Sequence, residues 1–555
     1  MRLGISCGGN HLTAAAREHR RSSSRLPRSG GSAGNRRAAT IFTAATLCSL
    51  LALSSLAADR AQPLEPVIVT APRAEATAQR EPASVTPVFA EELEAAGIDD
   101  TRALRTYVPS LVVNQGGDRD SAFVSIRGLA SAFVGPPAVG IYVDDVPYPD
   151  QRAAADVDLV DVDRVEVFRG SQVTRFGRYA EAGAIRITTR RPGQQVGGHA
   201  SVRYGDFDTQ VYQGAASGPL GRAAAFSLSG LESKRDGYIE NRFLHTTLDD
   251  REQFAGRANL FLLPLSGLEI AFTGEADHAG EGPKALTLLD QPDPFEVRYD
   301  TRGHLRTDEY LAATRVAYTA PLWRIVSITA RRSFAAERSA FDFDFSPRDV
   351  AVGGDNHRAV NWTEELRLSS PADATRWRWN VGGFFEDDRI EPRFVVRLDS
   401  TAVIQGPPPG GLGLPFTAPL ENVQHARLSN RSASGFADST LSLLETVELT
   451  LGLRYQSDTS RIRREHALHA LAQGAAVPVV PTLRDSTRSA GVLPTVTLGW
   501  HARPPLLVYA TVARGYYSAR RVSHTSPTTR ARRNTIRNGT GVTRWARRAS
   551  GWTAA

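Results

Sequence analysis

Four charges stand out because the residues around them are apolar. Arg127 follows the run Phe123-Val-Ser-Ile126, while Arg164, Glu166 and Arg169 are interleaved with Val165, Val167 and Phe168. A charge taken into a sheet-rich globule costs several kcal/mol unless it is paired, so a polar wall facing these residues would have to supply partners. For Arg164 and Glu166 a solvated strand-end pair is the alternative. Glu365 lies in Glu365-Leu-Arg-Leu-Ser-Ser370, where alternation turns Leu366 and Leu368 one way and Glu365 and Arg367 the other. His466 and His469 are spaced to bring two imidazoles together on a helical turn, as in a metal site, but the polar stretch around them has the texture of an external loop. Asp342 and Asp344 are two carboxylates, too few for a calcium site. No nucleophilic triad, glycosidase pair, zinc-protease motif or phosphate-binding loop is present in the sequence, so neither an enzyme nor a cofactor is expected.

A different chemistry is offered by Glu65, Pro66, Val67, Ile68, Val69 and Thr70. The run from Val67 to Thr70 has high strand propensity, yet Pro66 and Pro72 bracket it and isolate it from any sheet interior. An extended segment with free backbone donors and acceptors suits addition to the sheet edge of a partner. An ordinary linker is the alternative.

The elements that must position these residues follow from length and pattern. The chain has 555 residues, 41% hydrophobic and 23% charged, enough for about two to four ordinary domains or one large closed architecture with an accessory piece. Its net charge of +7 is held at the ends: residues 1–58 carry eight Arg and one Glu, residues 518–555 nine Arg and no acid, and the body between is net −9. A nucleic-acid-binding body is therefore disfavoured. Both cysteines, Cys7 and Cys48, precede residue 58. Arg36 and Arg37 ahead of an apolar stretch from Ala38 to Ala58, closing on small residues, predict a secretory signal peptide with a long leader over 1–58. Residues 59–80 hold the extended segment and a linker.

Residues 81–192 predict a compact α+β unit. Helices are expected over Ala90–Ala96 and from Thr101 to Tyr107, with short strands at Phe123–Ile126, Val139–Val143, Val165–Val167 and Ala184–Thr188. From 193 the texture changes to repeated alternating strands such as Leu268–Gly274 and Leu449–Tyr455, joined by short turns at Gly218–Gly221 and Pro264–Gly267 and by long polar stretches at 277–308 and 388–430. Alternating strands of about ten residues with loops long on one side only are the pattern of an outer-membrane barrel. Trp323, Trp377, Trp379, Trp500 and Tyr509 lie near strand ends, where aromatic girdles are expected. A secreted β-sandwich or β-helix would share the alternation but not the asymmetry of the loops.

At residues 124–192 the sequence resembles the plug domain of TonB-dependent outer-membrane receptors. The resemblance is carried by Val124-Ser-Ile-Arg-Gly-Leu129, Gly140-Ile-Tyr-Val-Asp-Asp-Val146, Arg164-Val-Glu-Val-Phe-Arg-Gly170, Phe176-Gly177 and Gly183-Ala-Ile-Arg-Ile-Thr-Thr-Arg-Arg-Pro192, with Gly128 and Gly170 as parts of these motifs. It continues to about 517 through Glu365–Ser370, Gly452–Tyr455 and Leu507–Gly515. Ser171, Val173 and Arg175 depart from the family pattern in one loop. The resemblance implies an all-β transmembrane barrel of about 22 strands, incomplete here, with the N-terminal α+β plug in its lumen. It makes Glu65 to Thr70 the TonB box, which pairs with the periplasmic partner TonB and is pulled by the ExbB–ExbD motor. It also implies that plug arginines, here Arg127 and Arg169, pair with wall glutamates, of which Glu365 is one.

The implied function is energised uptake of a scarce ligand across the outer membrane of a Gram-negative bacterium, an iron–siderophore complex first, a carbohydrate or cobalamin second. The other expectations are a secreted β-rich binding protein or a non-functional truncated receptor. After Tyr516-Tyr517-Ser518 the alternation stops, so 518–555 is expected to be an off-frame or disordered basic tail, and 193–517 to supply about 14 to 16 strands.

Overall fold

The computed structural model describes residues 82–115, 118–130, 137–154, 156–282, 286, 292–406, 412–503 and 506–515, together with the strands Leu3–Ser6 and Gly541–Ala549. The TonB-box segment Glu65–Thr70, the linker and all of the leader except residues 3–6 lie outside them.

The first layer is a five-stranded sheet in the order Val85–Phe89, Val162–Arg169, Gly183–Thr189, Val139–Val143, Val146–Pro147. Val139–Val143 runs parallel to Gly183–Thr189 and the other neighbours are antiparallel. The strands expected from sequence are all present, each at or slightly beyond its expected limits. The helix forms over Ala90–Ala96 because Glu92 reaches back to the backbone N–H of Phe89 at 2.9 Å and Gly97 ends it in a left-handed turn at φ 63°. The second expected helix is one turn of 3-10 helix, Ala103–Thr106, cut short by Pro109 and the approach of Leu111–Gln115. Val88, Leu93, Ile141, Val165, Ile185 and Ile187 are buried together. Each such side chain contributes about 1.5–3 kcal/mol to the unit.

The second layer is a wall. A sheet of 15 strands runs from Leu3–Ser6 to Gly541–Ala549, and the thirteen between them, Gly197–Gly205 to Leu506–Arg514, pair antiparallel in chain order. Two-residue turns at 266–267 and 445–446 mark one rim; the other carries the described parts of the stretches 282–303 and 399–419. Thirteen is fewer than the 14 to 16 expected, because the strands are longer than ten residues. Trp377–Leu398 has 22 and Leu420–Leu444 has 25, and together they absorb both ends of the stretch taken for the loop 388–430; Ala475–Arg503 has 29. The tail also departs from expectation, since the backbone of Gly541–Ala549 pairs antiparallel with Leu506–Arg514. Leu3–Ser6 runs parallel to Gly197–Gly205. Among the described residues the two end strands do not pair, so the sheet stays open.

Alternation sorts the wall into two faces. Leu451, Leu453 and Tyr455 are 45%, 52% and 54% exposed, while the interleaved Arg454 and Gln456 are 3% and 0%. A soluble protein would reverse that order; a lipid-facing exterior with a polar lumen requires it. Trp323, Trp377 and Trp500 are exposed near the short-turn rim, as a girdle demands. Tyr509 does not belong to that girdle. Its register opposite Gly499 turns it inward, where it is buried.

Candidate functional site: the contact between plug and wall

The inner face of the wall meets the α+β unit through charged and hydroxyl groups in three tiers. Nearest the short-turn rim, the turn after Val139–Val143 holds Asp144 and Asp145 at positive φ. Asp145 accepts from Arg367 of the wall at 2.7 Å and lies 3.2 Å from Arg186, and Asp144 accepts from Arg257 at 3.3 Å. Burial pushes the Asp145 carboxyl up, but Arg367 and Arg186 outweigh it and hold it well below the usual range.

In the middle tier Arg332 lies over the Tyr148 ring at 3.6 Å and pairs with Glu309, while the Tyr148 hydroxyl donates to Glu275 at 3.3 Å. Across the lumen the Tyr179 hydroxyl donates to Glu386, and Arg178 stands 3.9 Å from Glu386 and 3.8 Å from Asp458.

The outer tier is the densest. Arg338 of the wall bonds Asp118 at 2.8 Å and Asp120 at 2.7 Å, and Arg152 bonds Asp355 at 2.6 Å as well as Asp120. His357 faces Asp150 at 2.9 Å, both buried. Burial pushes Asp150 up, but His357 and Arg152 outweigh it and bring it down to about 2. Arg119 spans Asp156, Asp158 and the wall residue Asp277, and its backbone N–H donates to Glu281 at 2.8 Å. Burial raises Asp158 to about 7, with Arg119 opposing and Asp277 adding to the rise. Burial likewise lifts Asp156 to about 6 against Arg119 and Arg102.

The contact has an apolar part as well: Leu305, Phe334, Ala336, Ala359 and Ile390 of the wall belong to the plug's buried cluster, and Val146 of the plug packs with Leu311, Val326 and Ile328. The arrangement matches a family. The model for the TonB-dependent receptor plug domain covers residues 77–184, and that for the TonB-dependent receptor-like β-barrel covers 268–540. The chain belongs to the TonB-dependent receptor family. The barrel match runs past residue 517, into the stretch taken for an off-frame tail. Among curated relatives, the pesticin receptor of Yersinia pestis is 32% identical over 156 residues, 28% of this chain and 23% of that protein. The vitamin B12 transporter BtuB of Vibrio cholerae is 30% identical over 202 residues, 35% of this chain and 32% of that protein. The receptor thus spans no more than about a third of either relative. Its fold is similar to the crystal structure of the ferric yersiniabactin uptake receptor FyuA from Yersinia pestis, with a TM-score of 0.68 at 21% identity over 79% of this chain and 65% of that one.

The receptor's expected site residues fall in different places. Glu365 shares the inner face with Arg367, but its ion pair is with Arg367 at 3.0 Å, not with Arg127 or Arg169. The reason is local: Arg367 stands two residues along the same strand, on the same face, and bridges Glu365 to Asp145. Arg127 instead donates to the Ser84 hydroxyl at 3.1 Å, and its side chain is exposed. Gly128 follows at φ 79° and Gly170 at φ 102°, both in conformations that favour glycine. Arg164 lies 2.8 Å from Asp163 and 3.6 Å from Glu166, pairs made within the plug. His466 and His469 are on the strand Val447–Ala470, not a helix, so a spacing of three turns them to opposite faces. His466 bonds Asn422 at 2.7 Å. Asp342 and Asp344 accept backbone N–H groups of residues 344, 345, 346 and 351.

Sequence reasoning missed Asp145, Asp150, Arg119, His357 and Glu386. Asp144 and Asp145 lie within Gly140–Val146, where the alternating pattern marks only the strand before them. Their pairing with the wall needs strand register, which no local pattern carries.

Proposed function

We propose that the receptor performs energised uptake of an iron–siderophore complex across the outer membrane. Supporting this reading is a plug seated in a polar lumen by ion pairs and hydroxyl contacts, a seating that a pull from one side can undo. Residues 65–70 are the segment on which TonB, driven by ExbB–ExbD, would pull by strand addition. The wall would be the scaffold, the long loops at 282–303 and 399–419 the outer binding rim, and lipid the medium around the apolar face. The ferric yersiniabactin uptake receptor FyuA points the ligand toward ferric chelates. A cobalamin cargo is the second reading, because the similarity to the vitamin B12 transporter is of the same size. Radiolabelled uptake by cells carrying the gene separates them. Induction by iron starvation with uptake of ferric chelates supports the first reading, while uptake of cobalamin alone under either condition replaces it with the second.

A further inference from the structure

On the outer face of Val447–Ala470 the apolar residues end at Tyr455, towards the rim opposite the short turns. Ser457 and Thr459 follow on that face, and the next outward positions are Arg461 and Arg463. Register sets Arg463 directly opposite Arg427 on one neighbouring strand and Arg484 on the other. Like charges facing each other across a ladder are destabilising, and here three stand in a row. Two outward positions lower, Thr459 is flanked in the same way by Arg431 and Arg488.

Carboxylates on this face answer part of the charge. Glu391 lies 3.6 Å from Arg427, and Glu465 lies 2.6 Å from Arg463. Asp387 serves two guanidiniums, Arg431 at 2.9 Å and Arg389 at 3.5 Å. Asp485 turns to the opposite face with the alternation of its strand. These seven exposed arginines thus have three carboxylates between them, and Arg461, Arg484 and Arg488 form no ion pair among the described residues. The other half of the wall is balanced. Outward positions on the strands from Ala224–Arg235 to Arg324–Asp342 carry Lys234, Arg306 and Arg331 against Glu232, Glu252, Asp308 and Glu337. The preference of the chain for arginine therefore does not account for the cluster.

We propose that this cluster docks a lipid with a phosphate-bearing headgroup in the outer leaflet. Leu451, Leu453, Tyr455 and Val492 lie beneath it on the same face and take the acyl chains. The guanidiniums take the phosphate oxygens, two donors at a time. Chain and anion belong to one molecule because the same strands present both surfaces, one directly above the other. A bound phosphate relieves the row Arg427, Arg463 and Arg484, so it also steadies the strand ends that project beyond the apolar band. The site goes beyond the uptake reading and is the same whatever the cargo.

The test is native mass spectrometry of the folded full chain in non-ionic detergent. The probes are phosphatidylglycerol, phosphatidylcholine with the same acyl chains, and inorganic phosphate. Phosphatidylglycerol should bind about tenfold more tightly than phosphatidylcholine, a preference that shrinks at high salt. The triple variant Arg461→Gln, Arg484→Gln, Arg488→Gln should lose the preference. Glu465→Gln should bind phosphatidylglycerol several-fold more tightly, a gain that misfolding does not produce. Arg306→Gln, whose charge Asp308 answers at 3.2 Å, serves as the unaffected control. Equal binding of the two lipids, or a preference that the triple variant keeps, overturns the proposal. Inorganic phosphate that competes with phosphatidylglycerol at equal concentration assigns the cluster to a free anion and overturns the lipid assignment.

Discussion

Asp145 and Arg367 form the contact on which the seating of the plug is best tested. Both side chains are mostly shielded, at 18% and 26% exposed. Removing one partner of a buried pair costs about 3–5 kcal/mol because the other charge is stranded. Arg186 remains 3.2 Å from Asp145, so Arg367→Ala should weaken plug docking by the lower end of that range, roughly 3 kcal/mol. Urea-dependent protease resistance of the plug measures it, and an unchanged midpoint would remove this pair from the seating. Asp158 gives a pH signature. Its carboxyl is raised to about 7 in the seated plug, above the ordinary value of 3.8. A raised acid stabilises fully below its unfolded value and loses that contribution as pH rises through the folded one. Plug docking should therefore be firmer at pH 5 than at pH 8, and Asp158→Asn should flatten the dependence. A steeper dependence in that variant would place the sensitive proton elsewhere.

Strands and segments are where the plug's two jobs, staying seated and being pulled, separate. Gly183 opens the strand Gly183–Thr189 against Val162–Arg169, and a Cβ there would stand 2.2 Å from the carbonyl oxygen of Phe168. Gly183→Ala must push two central strands apart, so it should destabilise the plug by about 2 kcal/mol or more, seen as a lower midpoint of plug unfolding with the wall unaffected. The pulling segment is tested by Ile68→Pro, which deletes a backbone donor needed for strand addition. Uptake should vanish while ligand still binds at the cell surface; undiminished uptake would remove residues 65–70 from the role of TonB box. The plug strands were legible because each is a short apolar run bounded by turn residues. Wall strand lengths were not: Leu420–Leu444 and Val447–Ala470 run on through polar residues, since hydrogen bonds to a neighbour hold a strand wherever a partner continues beside it.

For the molecule as a whole, closure decides membrane stability. Among the described residues Leu3–Ser6 and Gly541–Ala549 end the sheet without pairing to each other. A bare strand edge in hydrocarbon leaves backbone groups unsatisfied, at several kcal/mol each. A sheet that ends on these two edges should therefore lack the compact, heat-modifiable migration on gels that closed barrels show. A heat-modifiable species from the 555-residue chain would show that the edges find each other.

The amino-acid order by itself determined the period-two alternation of the wall, the motifs of the plug and, with them, the family, because each is written in residues a few positions apart. Leu451, Leu453 and Tyr455 turn outward by parity alone. Which charge meets which was decided only by the tertiary structure. Asp145 and Arg367 are 222 residues apart, and Asp118 and Arg338 are 220. Their meeting depends on the register of successive wall strands and on the height at which the plug sits in the lumen. A shift of two residues in one strand preserves every inward and outward assignment yet exchanges every partner, which is why Glu365 could be placed on the inner face from sequence while its ion pair could not.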